Sequence, residues 1–202
     1  MVGIVKYGAG NIYSVASVIK YLNRKIVFIE NPGIIDRVDF LILPGVGSFD
    51  SGIENLEKTG VLEKIKYGIK SGIPFLGICL GLQLLFNLSE EGEKEGFGIL
   101  KGKVVKFKNK NIKIPHMGWN RVRILKENKI FNGIVNNSFF YFAHSYYIKT
   151  EENIIIGKTK YGVEFPSVIL KDNIVGVQFH PEKSGELGLL FMKNFLEGKW
   201  LQ

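Results

Sequence analysis

Residues 73–88 decide the fold: IPFLGICLGLQLLFNL carries an apolar run into a cysteine that has a glycine two positions away on either side. Ile73–Ile78 is typical of a strand buried on both faces of a parallel sheet. The residues that follow, Leu80–Leu88, place leucines at helical spacing. A strand, a sharp turn and a helix in this order are the pattern of a nucleophile elbow, here with a thiol in place of a hydroxyl.

The elbow gives a chemical reason for the single cysteine of the chain, Cys79. Because the turn is sharp, side chains at Gly77 and Gly81 would collide with the neighbouring strand and helix. The turn would place the thiol at a helix N-terminus, where partial positive charge favours the thiolate. It would also leave the N–H of Leu80 free to bind an oxyanion. The alternative is a small buried cysteine in the core, since free cysteines are among the most buried residues.

His180 and Glu182 are the candidate partners of the thiol. His180 directly follows the predicted strand Ile174–Phe179, and in an extended chain residues 180 and 182 point the same way. A thiol, an imidazole and a carboxylate that orients the imidazole form a nucleophile, base and orienter set. The alternative is a structural histidine whose hydrogen bonds are satisfied at a strand end, and the nearby Glu182 argues against it.

A glycine-rich loop, Pro44–Ser48, follows another predicted strand, Val38–Leu43. Its backbone N–H groups are unencumbered, as a second oxyanion donor requires, although a plain glycine turn would have the same sequence. In open parallel sheets ligands bind beyond the carboxyl ends of the strands. The loop, Cys79 and His180 are therefore expected to converge at one edge of one sheet.

The whole chain of 202 residues is expected to form one α/β domain, residues 1–202, because no linker or repeat divides it. We expect an open, mostly parallel sheet flanked by helices, flavodoxin-like, with antiparallel additions in the second half. In the first half the other strands are predicted at Val2–Val5 and Lys25–Glu30, and the helices at Asn11–Leu22 and Asp50–Ser71, with a break near Gly60. In the second half strands are predicted at Lys103–Phe107, Asn120–Leu125, Phe139–Phe142, Ile154–Lys158, Ser167–Leu170 and Ile174–Phe179, before a helix over Glu186–Leu196.

The charge of the chain, +8 from 27 Lys and Arg against 19 Asp and Glu, raises the question of nucleic acid. The dense cluster Lys101–Lys113 has a strand-like pattern, so we interpret it as a solvated edge strand guarded by lysines and expect no nucleic-acid partner. Ser71–Ser89 carries no charge over a length that would span a bilayer, but Pro74, Gln83 and Asn87 interrupt it, and no membrane segment is expected.

The first residues lack the basic region of a signal peptide, and a single cysteine forms no internal disulfide; both features fit a cytoplasmic protein.

Gly8-Ala9-Gly10, with Glu30 ending the second strand, imitates a dinucleotide-binding fingerprint. Tyr13 stands where the third glycine belongs, and no second nucleotide-binding half follows. A dehydrogenase would also leave the elbow unexplained. One cysteine and three scattered histidines do not have metal-ligand spacing, so neither a cofactor nor a metal is expected.

Several motifs, taken together, resemble a known family. GICLGLQLL (77–85) with FHPE (179–182) resembles the class I, triad-type glutamine amidotransferases, which release ammonia from glutamine through a Cys-His-Glu triad. PGVGSF (44–49), PHMGWNRV (115–122), YFAHSYY (141–147) and QFHPEKSGELGL (178–189) resemble, within it, the glutaminase subunits of imidazole glycerol phosphate synthase, in histidine biosynthesis. The ordered set spans essentially the whole chain, from the GAGN loop to the last helix.

The resemblance implies a role for each site residue. Cys79 attacks the side-chain amide of glutamine, His180 transfers the protons, and Glu182 fixes the His180 tautomer. The oxyanion is held by the N–H of Leu80 and by the segment containing Gly45, Val46 and Gly47. Contacts with glutamine are implied for Gln83, Glu91 and the backbone of Ser145 and Tyr146; Gln83 would otherwise be an ordinary solvated helix residue.

The resemblance also implies a partner. The family pairs this subunit, as a heterodimer, with a separate (β/α)₈-barrel cyclase that uses the ammonia to make imidazole glycerol phosphate and an aminoimidazole carboxamide ribonucleotide. Positions at or near that interface match Asn11, Met117, Trp119 and Lys183, for which plain packing is the alternative. We hypothesise that cyclase ligands rearrange the Pro44–Gly47 segment to complete the oxyanion hole.

Two other functions stay open at this point. The same elbow would serve the glutaminase of pyridoxal phosphate, anthranilate or guanylate synthesis, although PHMGWN and YFAHSYY favour the histidine-pathway subunit. A degenerate amidotransferase that acts only as a regulatory partner is the non-enzymatic alternative. The intact Cys79, His180 and Glu182 argue against it.

Overall fold

The computed structural model describes residues 1–8, 10–109 and 111–201. The elements are numbered in chain order, strands and helices separately. The strands are β1 (Val2–Val5), β2 (Ile26–Ile29), β3 (Phe40–Gly45), β4 (Phe75–Cys79), β5 (Phe86–Ser89), β6 (Leu100–Lys106), β7 (His116–Ile124), β8 (Ser138–His144), β9 (Tyr146–Lys149), β10 (Ile155–Tyr161), β11 (Val163–Lys171) and β12 (Ile174–Val177). The helices are α1 (Ile12–Tyr21), α2 (Phe49–Lys58), α3 (Leu62–Lys70), α4 (Leu80–Gln83) and α5 (Gly185–Glu197).

A nine-stranded sheet forms the centre of the molecule, in the order β2-β1-β3-β4-β12-β11-β10-β7-β8. The first five strands are parallel, and their order is that of flavodoxin-like sheets. The remaining strands continue the sheet in antiparallel pairings. This confirms the predicted fold class, with β12 as the strand that returns to the parallel part beside β4.

Helices cover both faces of the parallel part because successive strand residues point to opposite sides. On β3, Ile42 belongs to one apolar cluster, whereas Leu41 and Leu43 belong to the other. The first cluster includes buried residues of α1 and α5, and the second includes those of α2 and α3. The predicted break near Gly60 is confirmed, since this glycine has a φ of 69° between α2 and α3.

The predicted helix Leu80–Leu88 is wrong in its second half. The helix α4 ends at Gln83, and Phe86–Ser89 forms β5, which pairs with β6. The carbonyl of Leu84 accepts from the N–H of Phe97, and that of Leu85 accepts from residues 99 and 100. These long-range hydrogen bonds take the acceptors that a continuing helix would need.

The sequence led us to expect an edge strand in the lysine-rich segment, and this prediction is wrong. β6 is the middle strand of a three-stranded sheet, β5-β6-β9, because β5 and β9, which the sequence did not reveal, pair with its two sides. Lys101, Lys103 and Lys106 are exposed, while Val104 and Val105 are buried, so the lysines are solvated, as expected, although the strand is paired on both sides. Lys110 of this cluster, and Ala9 of the Gly8–Gly10 loop, lie outside the described residues.

The uncharged stretch from residue 71 to residue 89 is divided among β4, α4 and β5. Across the described parts of the chain, the helices are all too short or too polar to cross a membrane.

Candidate active site

Cys79 stands at a sharp turn between β4 and α4, with φ 53° and ψ −105°. Few residues other than glycine adopt this backbone conformation, and such strain is concentrated at functional sites. A Cβ at Gly77 would come within 2.6 Å of the Gly81 carbonyl oxygen, and one at Gly81 would overlap the carbonyl oxygen of Leu43. The two glycines are therefore required by close backbone approach, as the elbow pattern predicts.

His180 and Glu182 follow β12, the parallel neighbour of β4. The Nδ1 atom of His180 lies 2.8 Å from Oε1 of Glu182, and their side chains are only 2% and 4% exposed. Nε2 of His180 and Oε2 of Glu182 are also buried, without a hydrogen-bond partner among the described residues. A buried polar atom without a partner costs free energy, and such atoms in a folded protein are typical of a functional site.

The imidazole of His180 is electrostatically coupled to the thiol. Burial of the ring lowers its pKa, but the negative charge of Cys79 and then the hydrogen bond and charge of Glu182 outweigh burial and raise the pKa of His180 to about 10. No standard hydrogen bond joins Nε2 to the sulfur, so we attribute the coupling to charge. The arrangement therefore favours the imidazolium form of His180.

Two further groups contact the sulfur. Nε2 of Gln178 lies 3.5 Å from Sγ of Cys79, and Sγ lies 3.8 Å from the carbonyl oxygen of Ala143. Gln178 immediately follows β12, where it continues the parallel register that pairs Val177 with Ile78. Sequence reasoning missed Gln178: its place at the end of an apolar strand, two positions before His180, is a local signal, but its contact with Cys79 depends on the pairing of β12 with β4.

A cavity of about 180 Å³ opens onto Cys79. This is smaller than the roughly 300–1,000 Å³ of pockets for drug-sized ligands, and it suits a small substrate. Its lining includes seven of the residues assigned above to the oxyanion hole or to substrate: Val46, Gly47, Leu80, Gln83, Glu91, Ser145 and Tyr146. No group of three or more His, Cys, Asp or Glu side chains suited to a metal ion occurs in residues 1–8, 10–109 and 111–201.

The expected oxyanion segment lies along the elbow. Gly45 is the register partner of Cys79, and a side chain there would collide with the Tyr7 hydroxyl, which donates to the Pro44 carbonyl at 2.9 Å. Beyond this fixed point the segment is open: Val46 is 44% exposed, and Gly47 has a φ of 117° with free space around it. The part that faces the cavity is therefore the least constrained part of the segment.

Gln83 and Glu91 line the cavity but also make structural contacts. Gln83 is buried, rather than solvated, and its Nε2 donates to the Tyr146 carbonyl at 2.9 Å and to Oε1 of Gln178 at 3.2 Å. Oε2 of Glu91 accepts from the N–H of Phe49 at the start of α2, and burial is the main cause that raises the pKa of Glu91. Both side chains are held in place before any substrate arrives.

The four residues expected at a partner interface are exposed. Met117 and Trp119 are 65% and 56% exposed on β7, and Met117 also lines the mouth of the cavity. Trp119 contacts the ring of Tyr141 across the strands, and the ammonium of Lys183 lies over the same ring. The side chain of Asn11, in contrast, accepts from the N–H of Ser14 and caps α1.

The fold agrees with comparisons to known proteins. Residues 4–198 match the model of the family "Glutamine amidotransferase class-I". The structure of PurLQS from Thermotoga maritima superposes with a TM-score of 0.77 over 98% of this chain and 97% of that one, at 18% identity, which is a likeness of fold. The chain belongs to the class I glutamine amidotransferase family.

Similar curated proteins place it more narrowly. Imidazole glycerol phosphate synthase subunit HisH of Methanocaldococcus jannaschii is 50% identical, over 98% of this chain and 99% of that protein. The subunit of the same name from Caldanaerobacter subterraneus subsp. tengcongensis is 49% identical, over 98% of each chain. Within its class, the chain is therefore a member of the family of these synthase subunits, as the motifs indicated.

Proposed function

We propose that this chain is the glutaminase subunit of an imidazole glycerol phosphate synthase and acts as one domain over residues 1–202. The observation that carries the proposal is the convergence of Cys79, His180 and Glu182 beside a cavity of about 180 Å³. The relatives named as subunits of that synthase support it. A cytoplasmic location stays a prediction, supported by the free thiol of Cys79, which a reducing compartment preserves.

The first half of the reaction forms a thioester. The Cys79 thiolate attacks the side-chain carbonyl carbon of glutamine, and the carbonyl π electrons move to oxygen. The imidazolium of His180 then gives its proton to the amide nitrogen, and the C–N bond breaks as the tetrahedral intermediate collapses, releasing ammonia. A His180 pKa of about 10 keeps this proton available at neutral pH.

The second half regenerates the thiolate. Neutral His180 takes a proton from water, whose oxygen attacks the thioester carbon, and the C–S bond breaks to give glutamate and the thiolate. Glu182 holds Nδ1 throughout, which keeps Nε2 on the side of the reacting atoms.

The oxyanion of both tetrahedral intermediates needs two N–H donors. Leu80 is the first residue of α4, so its N–H has no partner within the helix. We assign the second donor to the segment of Gly45, Val46 and Gly47, and its open end, at Val46 and Gly47, supports the hypothesis that a partner's ligands rearrange it.

We assign the exposed Met117 and Trp119 to a surface for the cyclase subunit, a (β/α)₈ barrel in a separate chain. Met117 borders both the cavity and the solvent, so a protein docked over it would cover the exit for ammonia. Covering this exit prevents protonation and loss of ammonia in bulk water, which supports transfer to a second active site. Asn11 and Lys183 are proposed for the same surface.

An electrophilic glutamine analogue, such as a chloroketone, tests the chemistry directly. We expect one equivalent to alkylate Cys79, as located by peptide mass spectrometry, and expect glutamine to protect the thiol. Cys79→Ser is the matched control and should take up no label. Labelling without protection by glutamine, or labelling at another residue, would contradict a glutamine site at Cys79.

A further inference from the structure

His116 and His144, which the mechanism does not use, lie buried in the second half of the sheet. They are register partners on β7 and β8, and Nδ1 of His116 lies 3.0 Å from Nε2 of His144. Rings of Phe142 and Tyr161 stack on His116. Two imidazoles in an aromatic environment are costly to bury unless every ring nitrogen has a partner.

The hydrogen-bond partners fix the tautomer of each ring. Nδ1 of His144 lies 2.7 Å from the Tyr146 carbonyl, which only accepts, so this nitrogen carries the proton. Burial lowers the pKa of His144 to about 3 and that of His116 to about 4, so both rings are neutral. Nε2 of His144 therefore accepts from Nδ1 of His116.

The far end of the pair is fixed in the same way. Nε2 of His116 accepts from Nδ2 of Asn120 at 3.1 Å. The Asn120 amide cannot be reversed, because its Oδ1 accepts from the N–H of Arg121 and its Nδ2 also donates to the Lys160 carbonyl. Every donor and acceptor from Asn120 to Tyr146 is thus determined.

On the His144 side, the hydrogen bonds continue to the nucleophile, Cys79. The Tyr146 carbonyl also accepts from Nε2 of Gln83, and the second proton of that amide is donated to Oε1 of Gln178. This contact orients Gln178 so that its own Nε2–H points to Sγ of Cys79, at 3.5 Å. We call this series, from Asn120 through His116, His144, the Tyr146 carbonyl, Gln83 and Gln178 to Cys79, the polar chain.

We propose that Gln178 is a further catalytic residue, whose amide N–H stabilises the Cys79 thiolate, and that His116 and His144 are positioning residues that act through Gln83. The role fits the length of α4, because a helix of four residues supplies little of the dipole that a longer helix would have offered the sulfur. An N–H donor at a fixed position replaces it. The proposal rests on the proposed function, because the thiolate that Gln178 stabilises is the nucleophile of the glutaminase reaction.

Alkylation of Cys79 by iodoacetamide at pH 7 tests the proposal on the full chain, without glutamine or a partner, so its outcome is independent of the glutaminase assay. Gln178→Met has a similar volume and no N–H, and we expect it to slow alkylation about tenfold, since hydrogen bonds to charged groups have about this effect. Gln178→Glu should slow it further, because a carboxylate would face the sulfur. A rate within twofold of the wild type in either folded variant would overturn the role of Gln178.

Ser167→Ala is the matched control. Ser167 is buried and its carbonyl accepts from the N–H of Gln178, but its Oγ has no hydrogen-bond partner among the described residues. Removing this oxygen leaves the polar chain intact, so the rate of alkylation should be unchanged.

The positioning role has its own readout. His144→Phe should slow alkylation, and His144→Asn, whose amide N–H can replace Nδ1 toward Tyr146, should restore most of the rate. In the double variant with Gln178→Met, the effect of His144→Phe should disappear, because the donor on which it acts is gone. Fully additive effects, or no rescue by asparagine, would show that His144 supports only the fold.

Discussion

Replacement of Glu182 by glutamine tests the electrostatic core of the mechanism. The variant keeps the volume of the buried side chain but removes the charge that lies 2.8 Å from Nδ1 of His180. A rise of the His180 pKa from 6.5 to about 10 corresponds to about 5 kcal/mol in favour of the imidazolium, shared between Cys79 and Glu182. The amide also permits the wrong tautomer, because its N–H can donate to Nδ1.

We expect kcat for glutamate formation to fall by about 10²–10⁴ in Glu182→Gln, the range for loss of general acid–base catalysis. KM should change little, because Glu182 does not line the cavity. The assay is steady-state glutamate release in the presence of the cyclase subunit. Glu186→Gln, an exposed change in the first turn of α5, is the control. A kcat for Glu182→Gln equal to that of this control would refute the assignment of the orienting role.

The same variant has a predicted signature in stability. Because the pKa of His180 is raised in the folded chain, the stabilisation that results is complete below pH 6.5 and is lost as the pH rises through about 10. Glu182→Gln should lower the free energy of unfolding by about 2 kcal/mol, the part of the stabilisation of about 5 kcal/mol that we assign to Glu182. This decrease should therefore be largest near pH 6 and smallest above pH 10. Urea unfolding at three pH values measures it, and a loss independent of pH would contradict the coupling.

Three further predictions follow from the backbone and the surface. Gly81→Ala should lower the free energy of unfolding by about 3 kcal/mol or more in urea titrations, because its Cβ would overlap the Leu43 carbonyl, whereas Gly72→Ala, with open space around it, should cost only about 1 kcal/mol. Val46→Pro removes one backbone N–H and should lower kcat about 10²–10³-fold when the cyclase is present, while Val46→Ala should not; equal rates would remove Val46 from the oxyanion hole. Trp119→Ala should weaken cyclase binding at least about tenfold, as measured by calorimetry, because its side chain is exposed on the proposed surface. The free energy of unfolding should change by less than about 0.5 kcal/mol. Unaltered binding would place the interface elsewhere.

The parallel half of the fold was predictable because most of its strands are buried on both faces and therefore form uninterrupted apolar runs. The predicted bounds of Val2–Val5 match those observed, and the helices that cover the two faces of the parallel strands were predicted to within a few residues. The error at Leu84–Ser89 has a clear origin: the leucine spacing is compatible with a helix, but pairing with residues 97–100 takes the carbonyls. No local pattern in the sequence contains that information.

In the candidate site, too, some residues could be predicted from local sequence patterns and others could not. Cys79, His180 and Glu182 are marked by local patterns, a glycine-flanked turn and a strand end. Gln178, His116 and His144 receive their roles from partners far away in the sequence, such as the pairing of β7 with β8. A hydrogen-bond series of this kind is determined by sheet register, so the sequence alone did not reveal it.

Glutamine turnover measured with and without the cyclase tests the central claim most directly. Glutamate would be quantified for the wild-type chain mixed with its cyclase and a nucleotide ligand, with matched samples that contain Cys79→Ser or omit the cyclase. We predict turnover that requires both Cys79 and the ligand-loaded cyclase. Turnover that needs Cys79 but is indifferent to this cyclase would contradict the coupling, and no turnover in any sample with both chains folded would contradict the glutaminase itself.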